Sequence, residues 1–98
     1  MKIVSPSEET GYDVVVRVLS QTGHCGAGYQ PGDTVSFRGY DIEGKLCIHA
    51  LYSMLPKVFA MKYGATFPWL EDPDVSTHAC PDASNPVVFE LRRIRKAE

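Results

Sequence analysis

The sequence predicts an α+β domain in which a small, mainly antiparallel sheet packs on one proline-broken helix, and three observations carry that expectation. Its 98 residues suffice for a single domain with one modest core. Stretches near 12–20, 33–38 and 87–92 are rich in β-branched residues or alternate apolar with polar ones, as strands do. Only one stretch, 46–63, repeats its apolar residues at helical spacing.

In chain order, residues 1–11 contain Ser5-Pro6-Ser7-Glu8-Glu9-Thr10-Gly11, turn formers and charges without periodicity, and are expected to be a flexible lead-in. The single domain is expected over 12–98. Val14-Val15-Val16-Arg17-Val18-Leu19 is nearly apolar on both faces, which suits a well-covered strand. Gly23, Gly26, Gly28, Pro31 and Gly32 then punctuate a loop, after which Val35 and Phe37 alternate with polar neighbours as in a half-buried strand. In the helical stretch Leu51, Leu55, Val58, Phe59 and the carbon stem of Lys62 share one face, expected to be the core face. Pro56 inside it cannot donate an N–H, so a kink or two short helices are expected, ending at Gly64. Phe67, Pro68, Trp69 and Leu70 form an aromatic connector expected to cover the helix, and Glu71, Asp72 and Asp74 an exposed acidic turn. A short extended segment, 75–80, and a turn, 81–86, lead to the strand at 87–92, for an order β-β-α-β-β.

Composition narrows the function classes. Apolar residues at 44% and charged ones at 22% exclude a chain too polar to fold. A net charge of −2 gives little reason to expect nucleic acid as a partner, since such affinity comes from clustered Lys and Arg. The one basic cluster, Arg92, Arg93, Arg95 and Lys96, reads as a solvated strand end. No stretch has the length and apolarity of a membrane span, and the first residues do not read as a secretory signal. Three cysteines without a disulfide framework point to a reducing, cytoplasmic setting. Partners and oligomeric state are not readable.

The chemistry-bearing feature is the pairing of histidine with cysteine: His24-Cys25, Cys47-Ile48-His49 and His78-Ala79-Cys80. Thiolate and imidazole are ligands for borderline and soft metals, and thiolate beside imidazole is also how cysteine nucleophiles are activated. Cys25 lies in the glycine loop, Cys47 at the helix start, and Cys80 in the third strand. In an extended segment residues two apart share a face, so His78 and Cys80 are expected to face one centre. In a helix, Cys47 and His49 stand about 200° apart, which favours Cys47 and leaves His49 as a core histidine. The expected metal set is therefore Cys25, Cys47 and Cys80, with His24 or His78 as a candidate fourth ligand and zinc as the metal. Three thiolates also suit an iron–sulfur cluster with one open iron. As a reactive-cysteine enzyme acting on a small thiol or electrophile, the chain offers Cys47 first, because helix N-termini stabilise thiolates, and Cys80 second. A third class is a noncatalytic interaction module in which the cysteines are buried filler, for free cysteine packs as a small hydrophobe. There is no CxxC pair to decide among these.

The motifs Gly23-His24-Cys25-x-Ala27-Gly28, Cys47 with His49-Ala50-Leu51-Tyr52, Phe67-Pro68-Trp69, Ala79-Cys80-Pro81-Asp82 and Asn85-Pro86-Val87-Val88-Phe89-Glu90 resemble a family of small bacterial and archaeal proteins with three motif cysteines. The resemblance spans about residues 12 to 95 and implies that Cys25, Cys47 and Cys80 act as a set. It implies no activity. Ile48 departs from the pattern, which has proline after the second cysteine.

Overall fold

The computed structural model describes residues 11–95. The expected flexible lead-in at 1–11 lies outside the described residues except for Gly11. The elements are β1 (Tyr12–Gln21), β2 (Thr34–Arg38), β3 (Asp41–Glu43), α1 (Ile48–Lys62), β4 (Val75–Ala79) and β5 (Val87–Arg95). The strands form one five-stranded antiparallel sheet in the order β3-β2-β1-β5-β4, and α1 lies on one of its faces. The α+β class is thus the observed one.

β1 holds the centre of the sheet, but only one of its faces is covered. Val14, Val16 and Val18 are buried, whereas Val15 is half-buried and Leu19 exposed, so the expected well-covered strand is covered on one side alone. Its register with β5 pairs Val14 with Arg93, Val16 with Leu91 and Val18 with Phe89, then shifts between Val18 and Ser20, so Leu19 falls at a bulge. Val14, Val16, Val18, Val35, Phe37, Val87, Phe89 and Leu91 point inward against Ala50, Met54, Val58 and Met61 of α1. The opposite sheet face carries charges in surface pairs, Arg17 and Arg92 flanking Glu90 at 3.7 and 3.6 Å.

Four further details depart from the sequence-based expectations. A third strand, β3, precedes the helix; at three residues, all exposed, it is too short to show a period. The buried helix face is Ala50, Met54, Val58 and Met61, whereas Leu55 and Phe59 are exposed. Apolar residues occupy more than one side of this helix, so spacing alone fits two faces, and the valine-rich sheet receives the one with small or flexible side chains. Pro56 does not divide α1. Pro56 and Tyr52, whose carbonyl loses its partner N–H, both lie on the exposed side, where a missing bond costs least. Trp69 stacks on Phe67, with ring centroids 5.1 Å apart, yet is itself exposed rather than laid over the helix.

The basic run at the end of the chain is also not uniformly solvated. Arg93 is buried on the helix side of β5, its Nε donating to Asp74 Oδ1 at 2.8 Å and its Nη1 to the carbonyls of Met61 and Ala65 at 3.3 and 2.6 Å. One guanidinium thus ties the end of α1 and the residue just past it to β5, adding to the Gly64 N–H that the Met61 carbonyl already accepts, and fixes the acidic turn to the sheet. Arg93 is thus internal, whereas Arg17 and Arg92 are half-exposed and share the single carboxylate of Glu90. Among the described residues no helix is long and apolar enough to cross a membrane.

Candidate functional site

All three cysteines line one cavity of about 620 Å³, together with His49 and the apolar walls of Ala27, Ile48, Ala50 and Val87. The cavity lies where the loop after β1, the start of α1 and the turn between β4 and β5 meet. These segments are far apart in sequence, so their convergence is a product of the fold. All three thiols are free and partly buried.

Cys25 sits in a turn closed by the Gly28 N–H donating to the Cys25 carbonyl at 3.0 Å. The N–H of Tyr29, joined by those of Ala27 and Gly28 and by the charge of Lys45, holds the Cys25 thiol below its ordinary pKa against the opposing effect of desolvation. Glycine makes this possible: Gly28 has φ +77°, open to few other residues. Gly23, just before the turn, has φ +73°, and a Cβ there would lie 2.3 Å from Asn85 Oδ1.

Cys47 is the N-cap of α1 with extended backbone, φ −68° and ψ 136°. Its Sγ stands 3.8 Å from His49 Nδ1. The expectation that the two diverge assumed helical geometry at Cys47; the cap residue is not helical, and the angular arithmetic does not apply. Beneath them Tyr29, almost fully buried, ties the site together. Its hydroxyl donates to the Lys45 carbonyl at 3.2 Å and accepts the N–H of Cys47. Desolvation raises the Tyr29 pKa, so the hydroxyl keeps the proton it donates. The Cys25 turn and the Cys47 cap are therefore joined through one side chain.

Cys80 follows β4 and accepts the Val87 N–H on its sulfur at 3.2 Å. The turn beyond it is built on Asp82, whose carboxylate accepts from Ser84 N at 3.1 Å, Asn85 N at 3.2 Å and Asn85 Nδ2 at 3.3 Å. Asn85 Oδ1 in turn accepts the backbone N–H of His24 at 2.8 Å, coupling the Cys80 turn to the Cys25 loop.

The histidines are distributed differently from the sequence-based expectation. His78 lies on the inner face of β4 and meets Ser53 on α1, Nε2 to Oγ 2.8 Å, instead of lining the cavity. Burial, with help from the charge of Lys57, lowers its pKa. The two-residue alternation holds within β4, but Cys80 is already beyond it. His24 is exposed and does not line the cavity either. The imidazole that does is His49, which sequence reasoning set aside. As the side chains stand, no three of His, Cys, Asp and Glu among the described residues form a group of metal-holding spacing. The cysteines share a cavity wall without closing on one point.

No family model matches this chain, and neither the curated proteins nor the solved structures give a match. Its chemistry is argued from its own residues.

Proposed function

We propose that this protein binds a soft or borderline metal through Cys25, Cys47 and Cys80, with His49 as the fourth ligand and zinc as the first choice. The supporting observation is that three thiols from three distant segments line one cavity. The donor chemistry fits: three sulfurs and an imidazole are a zinc set, and the backbone N–H groups directed at Cys25 favour the thiolate form that a metal requires. Drawing the donors together requires side-chain rotation, since a χ1 change moves a cysteine sulfur by roughly 3 Å. Binding and ordering of these rotamers are then one event. Free thiols fit the reducing cytoplasm, where we place the protein.

The cavity volume favours a second reading. About 620 Å³ is far larger than one ion needs and lies within the range of small-ligand pockets. The same walls accommodate a cluster on three thiolates with one open iron, or a small electrophile approached by a cysteine nucleophile.

Elemental analysis and the absorption spectrum of protein purified without oxygen separate these readings. One zinc per chain in colourless protein, lost when any of the three cysteines becomes serine, is the expected result. Brown protein with visible absorption selects the cluster. Metal-free protein with one fast-alkylating thiol selects the nucleophile, and metal-free protein with three slow thiols rejects both readings.

A further inference from the structure

A second apolar face on α1 points away from the sheet and touches the cysteine cavity only at Ile48. Ile48, Tyr52, Leu55 and Phe59 follow one another at intervals of four, three and four, the spacing of a helix-pairing seam, and none contributes to the buried core. Leu55 and Phe59 border a groove of about 240 Å³ whose other wall includes Tyr40 and Ile42, so the patch continues onto the loop between β2 and β3 and onto β3 itself.

The exposed fractions are 73% for Ile48, 84% for Tyr52, 43% for Leu55, 62% for Phe59, 92% for Tyr40 and 46% for Ile42. With side chains of 150–250 Å² for the aromatics and somewhat less for the aliphatics, they leave roughly 700–800 Å² in one patch. The largest apolar patch of a typical monomer is about 300–600 Å². Each partner of a standard stable interface buries about 800 Å².

We propose that this face is the homodimer interface of the protein, with a second copy of the chain as its occupant. The stripe is self-complementary. In an antiparallel helix pair, a two-fold axis level with the midpoint between Tyr52 and Leu55 sets Tyr52 opposite the second copy's Leu55. The same axis sets Ile48 opposite its Phe59, so both contacts satisfy one symmetry operation. A bulky ring meets a branched aliphatic in each. α1 contains no acidic residue; Lys57 lies off the stripe, and Lys62, the next position in its four-three repeat, is buried and borders the same groove as Leu55 and Phe59. Ile48 also lines the cysteine cavity, so the second copy stands at the cavity rim. The inference does not depend on what the cysteines bind.

Sedimentation of the full chain across micromolar to high-micromolar concentrations tests this. The wild type is expected to sediment at twice the mass of one chain. Tyr52→Glu and Phe59→Glu, made separately, are each expected to raise the dimer dissociation constant about a hundredfold or more while keeping the circular dichroism of the wild type. Ile94→Lys, on the opposite face of the sheet, is expected to leave the dimer intact. Should a variant fail to fold, dilution of the wild type carries the test, with the ring-proton resonances of Tyr52 and Phe59 shifting as the dimer dissociates. A wild type that stays monomeric throughout, a dimer that survives both folded variants, or ring resonances that ignore dilution overturns the proposal.

Discussion

Replacing Tyr29 with phenylalanine removes one oxygen atom and tests how the site is assembled. The hydroxyl bridges the Lys45 carbonyl and the Cys47 N–H, and the ring beneath it packs edge-on against Phe89 with centroids 5.5 Å apart. Phenylalanine keeps the ring and leaves both backbone groups without their partner. An unsatisfied buried polar group costs about 1–3 kcal/mol. Lys45 is an exposed residue and its hydrogen bond to Tyr29 only part-buried, so about 1–2 kcal/mol, the lower part of that range, is expected in total. In urea, with a slope of about 1–1.5 kcal/mol/M, the unfolding midpoint falls by roughly 1 M. The same change frees the cap of α1 from the Cys25 turn, and zinc affinity is expected to fall about tenfold, as when an outer-shell partner of a metal ligand is lost. Equilibrium urea unfolding followed by circular dichroism, with zinc competition against a chelator, reads both. A Tyr29→Phe variant matching the wild type in midpoint and in zinc affinity refutes the claim that this hydroxyl holds the two cysteine-bearing segments together.

Three further outcomes follow from the same geometry. Arg93→Met removes the guanidinium donor of the Ala65 carbonyl and of Asp74, leaving the Met61 carbonyl only its Gly64 N–H, and is expected to cost about 2–4 kcal/mol in urea unfolding, less than a fully buried ion pair because Asp74 is half exposed. A loss within experimental error contradicts the role given to this guanidinium. The lowered pKa of His78 means that the unfolded chain binds its proton first as pH falls. Its contribution to stability is therefore fully present above the ordinary value of 6.5 and is lost as pH drops below 6.5 through the folded-state value. In chelator-treated protein His78→Gln should flatten that acid-side slope, and an unchanged slope contradicts the assignment. Finally, His49→Ala is expected to weaken zinc binding about tenfold or more, whereas His24→Ala leaves it unchanged, and the reverse order by isothermal titration rejects His49 as the ligand.

The sheet was legible because its strands carry their own signals. The valine run at 14–18 announced a strand, though not that only one of its faces would be covered, and the alternation of Val35 and Phe37 announced a strand with one wet face. The helix was legible as an element but not in orientation: with Leu51, Leu55, Phe59, Ala50, Met54 and Met61 all apolar, periodicity could not say which face meets the sheet. The cysteine cavity was legible in membership and not in detail. The glycines around Cys25 marked a turn able to present N–H groups to a sulfur, which the lowered Cys25 pKa reflects. What the sequence hid was the cap. Once Cys47 is read as the N-cap, His49 comes to its side of the cavity, whereas a helical Cys47 would turn it away. The coupling of the Cys25 and Cys80 loops through Asn85 has no local pattern at all, because it joins residues 61 apart in sequence.

Cobalt substitution tests most directly whether the three cysteines serve one ion. Thiolate-to-cobalt charge transfer gives a near-ultraviolet absorption whose intensity scales with the number of sulfurs bound. The wild-type protein is expected to show the intensity of three, and Cys25→Ser, Cys47→Ser and Cys80→Ser each to lose about a third of it or the whole complex. Absence of that absorption, or a band indifferent to the removal of any one of the three, contradicts the shared centre.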